Sequence, residues 1–307
     1  MTDDPVTDRF PRWALGIGPV VILAVVLAVL FFTSPFGDAE AMASAGTLEA
    51  LWMLAIIGTI AGIAPVVIGM LWFPFIRSLE YRYMHAFLAL SGGVLAFIAF
   101  ELVEEVVSLG GQTDRPALVG GLAVAAIGLT FLVMHVVSEW RKRTECRTES
   151  QGLHVAYLVA VALGLHSVGE GLAIGTAFAH GEGTLLTLLV IGFVMHNVME
   201  GPTVVAAVAR DAAVPPLRHF AAMGLIVGLP LVVGGWIGGF VTSPVLSAVF
   251  FAVAIGAILQ VLLELTGLIR FDAESVATRL NVATFAVGVV LMFVLEDVIV
   301  HGWILPG

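Results

Sequence analysis

Long apolar runs separated by short polar segments dominate the chain and define its elements. A helix needs roughly 20 mostly apolar residues to cross a hydrocarbon core of about 30 Å. Runs of this kind lie at 13–33, 48–73, 84–108, 117–138, 153–179, 184–209, 219–241, 245–269 and 281–304. The pattern predicts an all-α, polytopic membrane helix bundle of nine spans, the first of which is a retained anchor and not a cleaved signal peptide.

The basic residues favour one side of this arrangement. Of the 13 Lys and Arg residues, all but Arg115 precede span one or follow spans two, four, six and eight. Because Lys and Arg are enriched in cytoplasmic loops, we expect the N-terminus in the cytoplasm and the C-terminus outside. The longest cytoplasmic loop is then 139–152, which is polar and charged.

Composition narrows the possible partners. The residues are 60% hydrophobic and 12% charged, whereas soluble domains are about 25% charged, so the lipid bilayer is the expected surrounding. The net charge is −10, with no basic run beyond 141–143, and we therefore expect no nucleic-acid partner. The single cysteine, Cys146, excludes a disulfide framework and a multi-cysteine zinc site.

Two His-x-x-x-Glu pairs lie near the middle of spans five and six. They are His166 with Glu170 and His196 with Glu200. A spacing of four places each pair on one helical face, about 6 Å apart along the axis. The short loop 180–183 makes the two spans antiparallel neighbours, so the four side chains are predicted to share one ion. Nitrogen and oxygen ligands without thiolate suit Zn²⁺ or another first-row divalent ion.

Two alternatives stay open for these spans. Each pair could be an internal His–Glu hydrogen bond that helps helices pack, although its repetition in the same order favours a shared site. Glycines accompany both motifs, at Gly164, Gly169, Gly171, Gly175 and Gly201. They indicate either backbone carbonyls exposed to a cavity or close helix packing through small residues.

Further acidic residues lie inside other spans, where ionisable groups are costly and suggest function. In span three, Glu101, Glu104 and Glu105 share a helical face. Glu101 is the deepest and is a candidate for the ion path, whereas a solvated mouth is the alternative for the other two. Glu264 is isolated among apolar residues of span eight and is predicted to be functional.

The motifs of spans five and six resemble those of the ZIP family of divalent metal transporters. That family has eight core spans and carries His-Asn/Ser-x-Pro/Gly-Glu-Gly-like signatures on its fourth and fifth. Here the corresponding segments read HSVGEG at 166–171 and HNVMEG at 196–201. On this resemblance, residues 1–47 form an extra transmembrane helix and outer loop, and 48–307 form an eight-helix transporter domain.

The resemblance extends to other spans and has limits. AFELVEEV in span three is similar to a family segment that places Glu101 where a histidine is common and Glu105 at the family's acid. Glu264 falls near a His/Glu position of the seventh family span. Ser167 and Asn197 stand where two-metal members carry other ligands, and span seven has no acid, so the resemblance implies one metal site.

What the resemblance implies is a plasma-membrane transporter, not an enzyme, that moves Zn²⁺ into the cytoplasm, with Fe²⁺, Mn²⁺ and Cd²⁺ as other candidates. His166, Glu170, His196 and Glu200 would hold the ion, with Asn197 as a neutral ancillary ligand. Glu101 and Glu105 would attract it from outside, Glu264 would assist its release, and Ser167 would belong to the pathway. The metal is the cargo, and no organic cofactor is expected.

Two other functions remain open at this point. One is an intramembrane zinc-dependent hydrolase, in which the metal activates water. The other is a proton-linked transporter of a non-metal solute, with His and Glu as a relay. The chain has no GxxxxGK[ST] sequence, so ATP use is not indicated. A homodimer is compatible with the sequence.

Overall fold

The computed structural model describes residues 12–33, 46–76, 80–147, 152–205, 208, 214–272 and 275–301, and these contain helices and turns but no strand. Nine long helices lie within these ranges. They are α1 (Arg12–Thr33), α2 (Thr47–Met70), α3 (Tyr81–Gly111), α4 (Pro116–Arg147), α5 (Gly152–Ala179), α6 (Gly183–Val205), α7 (Leu217–Gly238), α8 (Pro244–Asp272) and α9 (Arg279–His301). A single helical turn, Phe73–Ile76, follows α2.

Seven of these helices, α2 to α8, are long and apolar enough to cross a membrane within the part of the chain that is described. At the two ends of the chain, the apolar stretches with described side chains are shorter, at Val21–Leu30 and Arg279–Val294. The predicted all-α architecture is therefore confirmed for the described residues, and seven of their helices could span a membrane. The count of nine spans and the cytoplasmic N-terminus stay predictions.

The helices pack into two sets. In the first set, α2 and α5 both pack against α6 and α7. In the second, α3 packs against α4, α8 and α9, and α8 also packs against α4. Contacts of α5 with α8 and of α3 with α6 join the two sets. The motif helices are the most enclosed, because 72% of the most apolar window of α5 and of α6 is buried, against 11% in α4.

Glycines hold α5 against α7 at very short distance. A Cβ atom on Gly171 would lie 2.1 Å from the carbonyl oxygen of Leu231, and one on Gly175 would lie 2.3 Å from that of Gly235. No side chain fits between backbones this close. Close packing through small residues therefore explains these glycines.

The glycine of the second motif serves the same purpose on α6. A Cβ atom on Gly201 would lie 2.5 Å from the backbone of Gly69 in α2. Each His-x-x-x-Glu pair is thus followed by a glycine that seats its helix on a neighbour. This packing fixes the rotation of α5 and α6, and hence the direction in which their polar side chains point.

Candidate functional site

Polar side chains of the two motifs meet inside the bundle. Nε2 of His196 lies 3.1 Å from Oε1 of Glu200 and 3.8 Å from Oε1 of Glu170. The amide nitrogen of Asn197 donates to Oε2 of Glu170 at 3.2 Å. The structure thus brings Glu170 of α5 together with His196, Asn197 and Glu200 of α6. We call these four residues the central cluster.

The central cluster is closed to solvent. Its four side chains belong to residues that are no more than 5% exposed, and Asn197 is fully buried. Two carboxyl groups within reach of one imidazole are costly at membrane depth unless a cation or protons balance their charge. The buried carboxyl groups of the cluster therefore favour binding of a cation or of protons.

His166 is held differently from the other motif residues. It is 3% exposed, and its Nε2 is hydrogen-bonded to Oε1 of Gln260 on α8. The bond that the structure shows for His166 therefore joins it to the second set of helices and not to Glu170, Glu200 or His196. Sequence reasoning expected all four motif side chains at one ion, and the structure brings three of them together.

His196 is also bonded across the boundary between the two helix sets. Oγ of Ser91 on α3 lies 2.7 Å from Nδ1 of His196, and Ser91 is 2% exposed. A hydroxyl both donates and accepts, so Ser91 satisfies Nδ1 in either tautomer. Ser91, His196 and Glu200 form one continuous hydrogen-bonded row.

Helix α2 contributes a backbone carbonyl to the cluster. The segment Thr59–Ile63 is π-helical, and such turns frequently mark functional sites. Within it, the carbonyl oxygen of Ala61 accepts from Nδ2 of Asn197 at 2.8 Å. Because Nδ2 also serves Glu170, both amide hydrogens of Asn197 are used and its Oδ1 is left over.

Unpartnered atoms concentrate at this site. Five buried side-chain atoms of the described residues lack a hydrogen-bond partner, and four of them belong to the motif residues or Gln260. The four are His166 Nδ1, Asn197 Oδ1, Glu200 Oε2 and Gln260 Nε2. Leaving such a group unsatisfied costs about 1–3 kcal/mol, which in native structures calls for an explanation such as a bound ion.

The candidate ligand atoms do not surround a common point where a metal ion could sit. Among the described residues, no group of three or more His, Cys, Asp and Glu side chains is arranged to hold a metal ion in this conformation. Both ring nitrogens of His196 are engaged, by Ser91 and Glu200, whereas Asn197 Oδ1 and Glu200 Oε2 have no partner. Binding one ion through three or more of these residues would require side-chain rearrangement.

Two further predicted residues lie outside the central cluster. Glu264 on α8 accepts a hydrogen bond from Ser138 of α4, one turn beyond Gln260 on the same helix face. Ser167 is buried, but its hydroxyl donates to the carbonyl of Leu163 in its own helix at 3.2 Å. The structure thus gives Glu264 a tertiary partner and uses the Ser167 hydroxyl locally.

The acidic residues of α3 line a cavity at one end of the bundle. Its volume is about 340 Å³, and Glu101, Glu104 and Glu105 share its wall with Glu182 of the α5–α6 loop. Glu182 follows Gly181, whose φ of 71° makes the tight turn. Burial, together with the adjacent Glu105 carboxyl, raises the pKa of Glu182 to about 7. We call these four carboxyl groups the acidic mouth.

Three side chains at these sites were missed from sequence. Gln260 had a detectable signal, since it is a polar residue in an apolar span, four positions before Glu264. Glu182 lay in the loop already recognised as the connection between the motif spans. Ser91 gave no usable signal, because a serine in a helix is common and its partner His196 is 105 positions away.

No protein-family model matches the chain, and no significant match exists among curated proteins. The resemblance to the ZIP family therefore rests on the motifs of α3, α5, α6 and α8 and stays a prediction.

Proposed function

We propose that the chain is a divalent metal cation transporter of the plasma membrane that moves Zn²⁺ into the cytoplasm through the central cluster. The observation that carries this proposal is the character of the unpartnered buried atoms. Of the four at this site, Asn197 Oδ1 and Glu200 Oε2 are acceptors, as is His166 Nδ1 when Nε2–H bonds Gln260, and Gln260 Nε2 is a donor. Acceptors lacking donors, beside two buried carboxyl groups, favour a cation and disfavour an anion.

The types of ligand atom limit which cations the site would prefer. Imidazole nitrogen, carboxylate oxygen and amide oxygen are ligands of first-row divalent metals, with Zn²⁺ foremost. An all-oxygen Ca²⁺ or Mg²⁺ cage is not what the cluster offers, and soft Cu⁺ would favour sulfur. Fe²⁺, Mn²⁺ and Cd²⁺ are the competing substrates to test.

The wider arrangement supports passage as well as binding. The acidic mouth supplies negative charge at the end of the bundle that the basic residues assign to the outer side. Glu264 lies on α8 beyond Gln260, in the direction of Arg270 at the opposite end. The site lies where the two helix sets meet, so a movement of one set against the other would expose it alternately to each side.

The test is metal uptake into proteoliposomes that contain a metal-sensitive dye, measured across Zn²⁺, Fe²⁺, Mn²⁺ and Cd²⁺. We expect wild-type protein to carry Zn²⁺ and the near-isosteric Glu200→Gln variant to lose the flux. Glu49→Gln is the matched control, since Glu49 is an exposed carboxylate in the first turn of α2.

Three outcomes are decisive. Wild-type flux that disappears in Glu200→Gln and persists in Glu49→Gln supports the proposal. Absence of metal-dependent flux in the wild type overturns it. Metal that is bound stoichiometrically but never transported would favour the rival function, an intramembrane zinc-dependent hydrolase.

A further inference from the structure

Gln260 is the most completely buried polar partner of either motif histidine. Its side chain is fully enclosed on α8 and contacts His166 of α5, 94 positions earlier in the chain. A carboxamide inside an apolar span is expensive unless its hydrogen bonds are made. Here the oxygen is used by His166, and the nitrogen has no partner.

The bond between the two side chains determines which ring nitrogen of His166 is available. Because Oε1 of Gln260 is an acceptor, the nitrogen that meets it, Nε2, must carry hydrogen. A neutral imidazole has only one N–H, so Nδ1 then carries the lone pair. Nδ1 is buried and has no hydrogen-bond partner. Its lone pair is therefore available to bind a metal ion.

The chemistry of the partner matters too. A carboxamide holds the ring through an acceptor oxygen, as carboxylates and backbone carbonyls do beside other metal-binding histidines. It adds no charge of its own, and Nδ1 of His166 stays without a partner.

We propose that Gln260 is a positioning residue that fixes His166 as the Nε2–H tautomer and so selects Nδ1 as the atom that binds the transported cation. This inference rests on the proposed function and deepens it. It assigns a role to Gln260, which contacts the metal-binding histidine and not the metal ion itself. Partners of this kind orient a metal-binding histidine, and their loss typically lowers metal affinity about 10- to 100-fold.

The first test reads the tautomer directly in metal-free protein. Two-bond ¹H–¹⁵N correlation spectra of ¹⁵N-histidine-labelled full-length protein distinguish Nε2–H from Nδ1–H rings. The signals of His166 are assigned by their disappearance in His166→Gln. We expect the Nε2–H pattern in the wild type and its loss in Gln260→Leu. An Nδ1–H ring in the wild type would overturn the proposal.

The second test measures Zn²⁺ binding to purified protein by calorimetry. We expect affinity about 10- to 100-fold weaker in Gln260→Leu, and affinity close to that of the wild type in Gln260→Glu, which keeps an acceptor oxygen. Leu259→Ala is the control on the adjacent, 40% exposed position of α8. Unchanged affinity in Gln260→Leu would refute the role of Gln260.

The two proposals fail in different ways. A wild type that carries no metal overturns the transport function, whereas the spectra of metal-free protein still decide how Gln260 holds His166. Zn²⁺ transport by Gln260→Leu that equals transport by the wild type removes the positioning role and leaves the transport function standing. If Gln260→Leu does not fold, Gln260→Glu and the wild-type spectrum give the answer.

Discussion

Helix α5 presents two faces with opposite properties. Toward α7 it presents glycines whose absent side chains allow backbone contact, as at Gly171 and Gly175. Toward α6 and α8 it presents Glu170 and His166, which make hydrogen bonds with Asn197 and Gln260. One face has no room for another atom, and the other has buried atoms without partners.

The two faces of α5 therefore have different roles. The glycine face governs the stability of the fold, and the polar face governs the chemistry of the proposed site. Contact at the glycine face depends on shape, and shape tolerates no added volume where backbones already touch. The polar face depends on hydrogen bonds and charge, so near-isosteric changes there should spare the fold while altering ion binding. Substitutions on the two faces should therefore fail in different assays.

The largest effect is expected at the glycine face. In Gly171→Val, the first added carbon would lie 2.1 Å from the Leu231 carbonyl oxygen, a backbone atom that cannot move aside. We expect loss of folded protein, since overpacking alone typically costs about 1–3 kcal/mol and here α5 and α7 must separate. Fluorescence-detected size-exclusion and thermal unfolding measure this.

The matched control for that substitution is Gly120→Val. Gly120 lies on α4, and no neighbouring atom outside its own helix backbone lies within 4 Å of the position that a Cβ would take. The Gly120→Val variant should therefore elute and unfold as the wild type does. Equal stability of the two valine variants would contradict the interpretation of α5–α7 as a packing contact.

A smaller but clean effect is expected in the central cluster. Glu170→Gln keeps the shape of the side chain and removes a carboxylate that lies 3.8 Å from His196. We expect the thermal midpoint to stay near that of the wild type and the apparent Zn²⁺ affinity to fall by about tenfold or more. Calorimetry and dye uptake measure affinity and flux. Unfolding of this variant would erase the distinction between the two faces.

The next effect concerns the hydrogen bond that reaches His196 from α3. Ser91→Ala removes the hydroxyl bound to Nδ1, so the ring loses its orientation while the metal-binding atoms remain. We expect a loss of about tenfold in Zn²⁺ affinity and recovery in Ser91→Thr, which restores a hydroxyl. Equal Zn²⁺ affinities of Ser91→Ala and Ser91→Thr would show that the bond does not orient His196.

The smallest effect is expected at the acidic mouth, and it depends on pH. The pKa of Glu182 is raised to about 7, so this carboxyl is mostly protonated below that pH and ionised above it. Negative charge at the mouth therefore grows as the pH rises from about 6 to about 8, and the KM for Zn²⁺ uptake should fall.

Glu182→Gln should make this part of the pH dependence flat, because its side chain does not titrate. Uptake kinetics at both pH values, for wild type and variant, measure the difference. A pH response that is the same in the variant would remove Glu182 from the cation's path, without consequence for the central cluster.

The sequence by itself determined the architecture and the identity of the motif residues. Apolar runs predict long helices because an unpaired backbone is not tolerated in lipid, and α5 and α6 begin and end within a few residues of the predicted spans. The spacing of four and the short connecting loop also predicted that Glu170 would meet His196 and Glu200, since local helix geometry and antiparallel pairing suffice for that.

Only the tertiary structure decided which helices the glycines contact and which side chains hold the two motif histidines. Whether the glycines packed or opened a cavity depended on which helix faced them, and the pattern of α5 is the same in both cases. Gln260 and Ser91 reach their histidines across 94 and 105 positions, and no local period records such a pairing. Helix rotation, fixed by the glycine contacts, directs His166 toward Gln260 and Glu170 toward His196.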